Sequence, residues 1–195
     1  MGPGPAAPGL LGGGSPLDEW LEATMLERRV VWLRGRLDDE AATAVATQLM
    51  TLDGSGDGAI RLHLNSGEGR LGAALTLMDT IAALGVPVEA VCTGRSEGAA
   101  LGVLAVAHRR QAANHASLRF HDEEIEAVGS AEQVSRELAQ RRRQLERFVE
   151  LVAAACRQPA ERVEVDLAES RYLEVEEALE YRLIDSIWRG ATRLS

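Results

Sequence analysis

The residues that could do chemistry are few, and the most suggestive five stand in a row. Gly94-Arg95-Ser96-Glu97-Gly98 fits the G-x-S-x-G pattern of a nucleophile elbow, with a β-rich apolar segment before it and small residues after it. Such a turn presents a serine hydroxyl for acyl transfer. That chemistry also needs a base within hydrogen-bond reach, a group that orients the base, and N–H donors for the oxyanion. His121, followed by Asp122-Glu123-Glu124, is the candidate base. Ser96 has a second reading, because a hydroxyl at a strand-to-helix turn also caps helices by accepting an N–H, here from Gly98 or Ala99. Glu97 would suit the first turn of the same helix. His63, His108 and His115 are scattered singly with no metal-ligand spacing, so neither a metal nor a cofactor is expected. Cys92 and Cys156 make neither a disulfide framework nor a zinc cluster.

The elements that must position these residues come from a chain of 195 residues, the size of one domain. Charged residues make up 26% and hydrophobic ones 46%, an ordinary globular balance. A net charge of −9 argues against nucleic acid or an anionic membrane as the main partner. The longest apolar run, Gly98 to Ala107, falls short of the ~18 residues of a membrane span. The start lacks the basic and apolar succession of a secretory signal, so a cytoplasmic location is expected.

Ten of the first sixteen residues are Gly or Pro, and none is charged. Residues 1–16 are therefore expected to be a flexible tail and 17–195 a single domain. The spacing predicts a short helix opening at Asp18, a strand at Arg29–Gly35, and a helix over Asp38–Leu52 with Ala42, Val45, Ala46, Leu49 and Met50 inward. A strand over Ala59–Leu64, broken at Gly67–Gly69, leads to a helix over Leu71–Leu84 with Leu71, Leu75, Met78 and Ala82 on one face. Then come a strand at Val88–Cys92, a tight turn at Gly94–Gly98, a small-residue helix at Ala99–His108 and a strand at Ser117–Phe120. A long amphipathic helix runs over Ala131–Cys156, with Val134, Leu138, Leu145, Phe148, Val149 and Val152 inward. A helix at Glu174–Tyr181 and a strand at Leu183–Trp188 close the chain. Alternation of this kind indicates an α/β domain.

In order and spacing these segments resemble the ClpP family, the proteolytic subunits of Clp protease. The resemblance is carried by Glu27-Arg28-Arg29-Val30-Val31-Trp32-Leu33, by Leu62-His63-Leu64-Asn65-Ser66-Gly67-Glu68-Gly69, by Cys92-Thr93-Gly94 with its helix, and by the run from Leu173 to Asp185. It covers about residues 18 to 189. It implies a spiral of β-β-α units, rings stacked around a closed chamber, and a Ser-His-Asp triad that cuts peptides fed in by a ring ATPase. The same ClpP/crotonase-type spiral builds acyl-CoA enzymes, which keeps a crotonase-type activity as an alternative.

Carried over residue by residue, the family nucleophile falls six residues after Cys92, on Gly98. The family base falls on His121. The family acid, two residues before Tyr172-Leu173, falls on Ser170. Two triad positions thus lack the group they need. Ser96 lies two residues early, and on a helical turn that rotates a side chain by roughly 200°. Gly69 and Ala99 match oxyanion donors, but Glu68 is expected to repel a developing oxyanion. Arg61 and His63 stand where the family has aromatic residues that grip the ATPase, and with 4% aromatic residues little else can rebuild that grip. Arg141-Arg142-Arg143 reads as a solvated face. The expectation is a ClpP-like subunit without peptidase activity, assembled in a ring with itself or a ClpP paralogue, its docking to a Clp ATPase weakened. The alternative is an active serine peptidase using Ser96 and His121.

Overall fold

The computed structural model describes residues 16–123 and 129–189; residues 1–15 of the expected tail and the acidic residues 124–126 lie outside them, while Pro16, expected in the tail, opens a helix. Helix α1 (Pro16–Glu27) precedes strand β1 (Val30–Leu37) and helix α2 (Asp39–Gly54). Asp38 caps α2 by accepting the Ala41 N–H at 2.9 Å, and Asp39 and Glu40 sit in the first turn where the helix dipole favours them. Strand β2 (Ile60–Gly69), helix α3 (Leu71–Ala83), strand β3 (Val88–Glu97) and helix α4 (Ala99–Ala105) follow. Strands β4 (Arg109–Ala113) and β5 (Ser117–Arg119) lead to helix α5 (Ala131–Cys156). Helix α6 (Ala160–Ala168), strand β6 (Tyr172–Leu173), helix α7 (Val175–Glu180) and strand β7 (Ser186–Trp188) complete the order.

Five strands lie parallel in the order β1-β2-β3-β4-β7. The far end of β3 leaves β4 and pairs instead with β5, to which β6 is antiparallel. The core forms where α2 and α4 cover one sheet face, over Val31, Leu33, Leu62, Leu64, Ala90 and Cys92. Helices α3 and α5 pack around these, closing the layer. The result is a mixed α/β fold of the kind that the resemblance implies.

Several elements differ from the sequence expectation. Strand β2 runs on through Gly67–Gly69, and β3 through Gly94–Glu97, because both are held by neighbouring strands: Glu68 and Gly69 by β1, and Ser96 and Glu97 by β5. Strand β4 and helix α6 went unread, being short and rich in charge. Met50 and Leu138 are exposed at 63% and 49%, and Ala82 is also outside, while Leu52, Leu77 and Ile81 take the inward places. The first half of α5, capped by a Ser130–Gln133 capping box, stands away from the core; burial begins at Phe148. Arg141 is not solvated, since its guanidinium pairs with Asp122 and reaches the Glu123 carbonyl.

Helix α4 approaches α5 closely at Gly102. A Cβ there would collide with the Phe148 ring and stand 2.9 Å from Met78 Sδ. Gly102→Ala gains helix propensity but overpacks the core, which outweighs it. We expect a loss of about 1–2 kcal/mol, read as a lower urea midpoint at unchanged m-value.

Candidate active site and partner face

Strand pairing alone assembles the site. Glu97 on β3 pairs with Arg119 on β5, so Gly98 and Ala99 come level with the residues just after β5. Arg119 pairs antiparallel with Tyr172, and the Phe120 N–H continues the ladder to the Arg171 carbonyl at 2.8 Å. One step further that register sets His121 opposite Ser170. His121 Nδ1 and Ser170 Oγ lie 3.3 Å apart.

Gly98 forms the turn between β3 and α4 with φ +55° and ψ −124°, a conformation L side chains rarely adopt. This is a strand-to-helix turn of the kind a nucleophile elbow makes, and glycine adopts it without strain. A Cβ on Gly98 would lie 3.0 Å from the His121 carbonyl oxygen and 4.0 Å from the His121 Cβ. Position 98, rather than 96, is therefore the one beside His121. Ser96 is fully buried inside β3, and its hydroxyl donates to the Ala100 carbonyl at 3.1 Å. It does not accept an N–H from Gly98 or Ala99, so the capping expectation is corrected: α4 starts at Gly98 with no side-chain cap. Glu97, likewise on the strand, accepts the Ser117 hydroxyl at 2.9 Å.

Ser170 also has a positive φ, +52°. Aspartate and asparagine tolerate that region better than most residues. The turn is pinned by Asp166, buried at 4% exposure, which accepts from Arg171 at 3.0 Å and from the Tyr181 hydroxyl at 2.7 Å. Burial, then this bond, raises the Tyr181 hydroxyl above its usual range. Asp166 is thus a structural anchor with both oxygens engaged, not a displaced member of a triad.

A cleft of about 270 Å³ is lined by Arg36, Glu68, Gly69, Gly98, Ala99, His121 and Glu123. It gathers His121 with Gly69 and Ala99, the two positions that the resemblance matches to oxyanion donors. The Ala99 N–H, first in α4, has no intrahelical acceptor. Glu68 does not stand there as a lone charge. Arg36, opposite it on β1, pairs with it at 3.2 Å and also with Glu123. Sequence reading missed Arg36 because it ended the strand at Gly35; alternation through Arg34, Arg36 and Leu37 was the available signal. Nor can a thiol act instead, because burial pushes Cys92 up to about 12 and Cys156 to about 11. Among the described residues, no group of three or more His, Cys, Asp or Glu could hold a metal. No helix among them is long and apolar enough to cross a membrane.

Arg61 and His63 lie on the opposite face of the sheet. His63 stacks on Trp32 at 4.6 Å between ring centroids and meets Trp188 edge-on at 6.1 Å. Two of the three tryptophans flank this histidine. Arg61 and Arg109 both face Glu89, at 3.8 and 3.7 Å.

A strand-to-helix turn at Gly98 and His121 beside it line one cleft of a mixed α/β fold, an arrangement similar to the site of a serine hydrolase. The family model described as Clp protease matches residues 18–191, and the chain belongs to that family. It is 31% identical over 172 residues to the ATP-dependent Clp protease proteolytic subunit 2 of Streptomyces coelicolor, covering 85% of this chain and 78% of the relative.

Burial, and then the charge of Arg61, lowers the pKa of His63 below its ordinary 6.5. The unfolded chain then binds the proton more readily than the folded one. His63 therefore withdraws stability as pH falls below about 6.5, and its effect is absent above that value. We expect His63→Phe, which keeps the stacked ring, to lose less stability than the parent between pH 7.5 and 5, measured by urea unfolding at each pH.

Proposed function

We propose that this chain is a non-catalytic subunit of a Clp-type proteolytic assembly. It takes its place in a ring with itself or with an active ClpP paralogue, in the cytoplasm. One observation carries the reading: the residue at the elbow turn beside His121 is a glycine, with no atom to attack a carbonyl. The Ser170 hydroxyl reinforces it. A neutral hydroxyl can hold the imidazole by a hydrogen bond, but it cannot stabilise an imidazolium as a carboxylate does.

The magnitudes point the same way. A triad acts as a unit, and loss of its nucleophile costs on the order of 10⁶ in rate in a well-studied protease. What survives without it is roughly 10³–10⁴ over water, from oxyanion donors and binding. The salt-bridged Arg36 offsets part of the repulsion that Glu68 would otherwise exert, yet it also occupies the cleft. A peptidase built on Ser96 finds less support, because that hydroxyl is buried and already engaged. Family membership favours the peptidase lineage over an acyl-CoA enzyme. For assembly, the first half of α5, projecting from the core with Leu138 exposed, is the element we place between rings. The carboxylates just before it favour single rings or mixed particles over stable double rings.

We expect no labelling by a serine-directed fluorophosphonate and no peptide cleavage above background. Gly98→Ser combined with Ser170→Asp should label, since position 98 adjoins His121 and position 170 has a φ that aspartate accepts; Gly98→Ser alone should label far less. Labelling of the parent that Ser96→Ala abolishes would establish an active, displaced elbow instead.

A further inference from the structure

Beyond Phe120 the backbone loses its partners. The Phe120 N–H bonds to the Arg171 carbonyl, but among the described residues His121, Asp122 and Glu123 make no backbone–backbone hydrogen bond. Arginines from two separate elements hold this stretch instead. Arg36 of β1 pairs with the Glu123 carboxylate. Arg141 of α5 pairs with the Asp122 carboxylate and donates to the Glu123 carbonyl. A stretch kept in place by side-chain ion pairs opens locally at less cost than one kept by a strand ladder.

Glu123 is also where two cavities meet. It lines the cleft of about 270 Å³ beside His121, and a neighbouring cavity of about 230 Å³ lined by Arg70, Glu137 and Arg141. Its side chain is 23% exposed, whereas that of Glu68, the other carboxylate on Arg36, is 71% exposed. Arg36 reaches Glu68 at 3.2 Å, so the guanidinium keeps an acceptor when Glu123 leaves it. The two carboxylates repel each other and compete for one fork. The second cavity adds a further carboxylate in Glu137, and its Arg70 is already paired with Asp39 at 2.7 Å.

We propose that Glu123 is an electrostatic latch on the cleft. With the Arg36 pair made, its carboxylate stands between the two cavities and narrows the approach to His121. With the pair broken, Arg36 stays on Glu68, Glu123 swings away, and the cavities run together into one groove past Gly69 and His121. The latch does not involve residue 98, so it goes beyond the silent-site reading. Salt screens such a pair and opens the groove.

The test follows carbethoxylation of His121 by diethyl pyrocarbonate in the full chain, read by peptide mass spectrometry. It is run at pH 8, where an ordinary imidazole is neutral, with the exposed His115 as internal reference. The ratio of the His121 rate to the His115 rate should rise about fivefold between about 50 mM and about 1 M salt. Arg36→Gln should reach the high ratio already at low salt and respond little to more. Arg36→Lys, which keeps the charge, should fall between the parent and Arg36→Gln. Glu68→Gln, at a mostly exposed position, should lower the ratio at low salt, because Glu123 then has the guanidinium to itself. A salt-independent ratio in the parent, an Arg36→Gln ratio equal to the parent's, or an unchanged or raised ratio in Glu68→Gln would overturn the latch. Phosphonate labelling of the parent does not pass through this latch, so either proposal can fail while the other stands.

Discussion

Strand β3 is the constraint on which the rest of the structure depends. Its first half pairs with β2 and β4 as the middle of the parallel sheet. Its second half diverges to pair with β5. At its end the chain must reverse into α4 within one residue, and Gly98 does so at a positive φ, its N–H bonded to the Arg119 carbonyl at 3.0 Å. From that point β5 fixes His121, β6 fixes Ser170, and the cleft follows. The geometry of a hydrolytic site is thus a property of backbone pairing and does not require the catalytic side chains. On the non-catalytic reading proposed above, the frame persists without the chemistry.

The substitutions at the site are mutually consistent. Glycine relieves the backbone strain that a serine would bear at the elbow. Serine at position 170 keeps the hydrogen bond that orients His121 while removing a carboxylate from the cleft. Arg36 then ties the cleft shut from one side, linking β1 to the end of β2 and to the segment after β5 through Glu68 and Glu123. On the proposed non-catalytic reading, each of these residues favours a well-packed site over a strained reactive one, as expected where activity does not oppose stability.

Much of this was legible in the sequence, for identifiable reasons. Long elements with a clear period, such as α2, α5 and the first half of β3, carry their own signal. Counting six residues on from Cys92 gives Gly98, where a Cβ would lie 4.0 Å from the His121 Cβ, and counting two back from Tyr172 gives Ser170, whose hydroxyl lies 3.3 Å from His121 Nδ1. What could not be read depends on pairing between distant segments. Nothing local to Trp188 says that it will meet His63, and nothing local to Glu68 says that Arg36 will neutralise it. Ser96 misled for the opposite reason: its motif is local, but β5 holds the residue in a strand and turns its hydroxyl inward.

The central claim is that a formed site lacks a nucleophile, and covalent capture tests it most directly. The chain, incubated with an activated peptide nitrophenyl ester and quenched within one turnover of an active family member, is weighed intact. The account predicts an unchanged mass for the parent and an acyl adduct on residue 98 once Gly98→Ser and Ser170→Asp are introduced together. An acyl adduct on a serine of the parent chain, lost on unfolding before exposure to the ester, would contradict it.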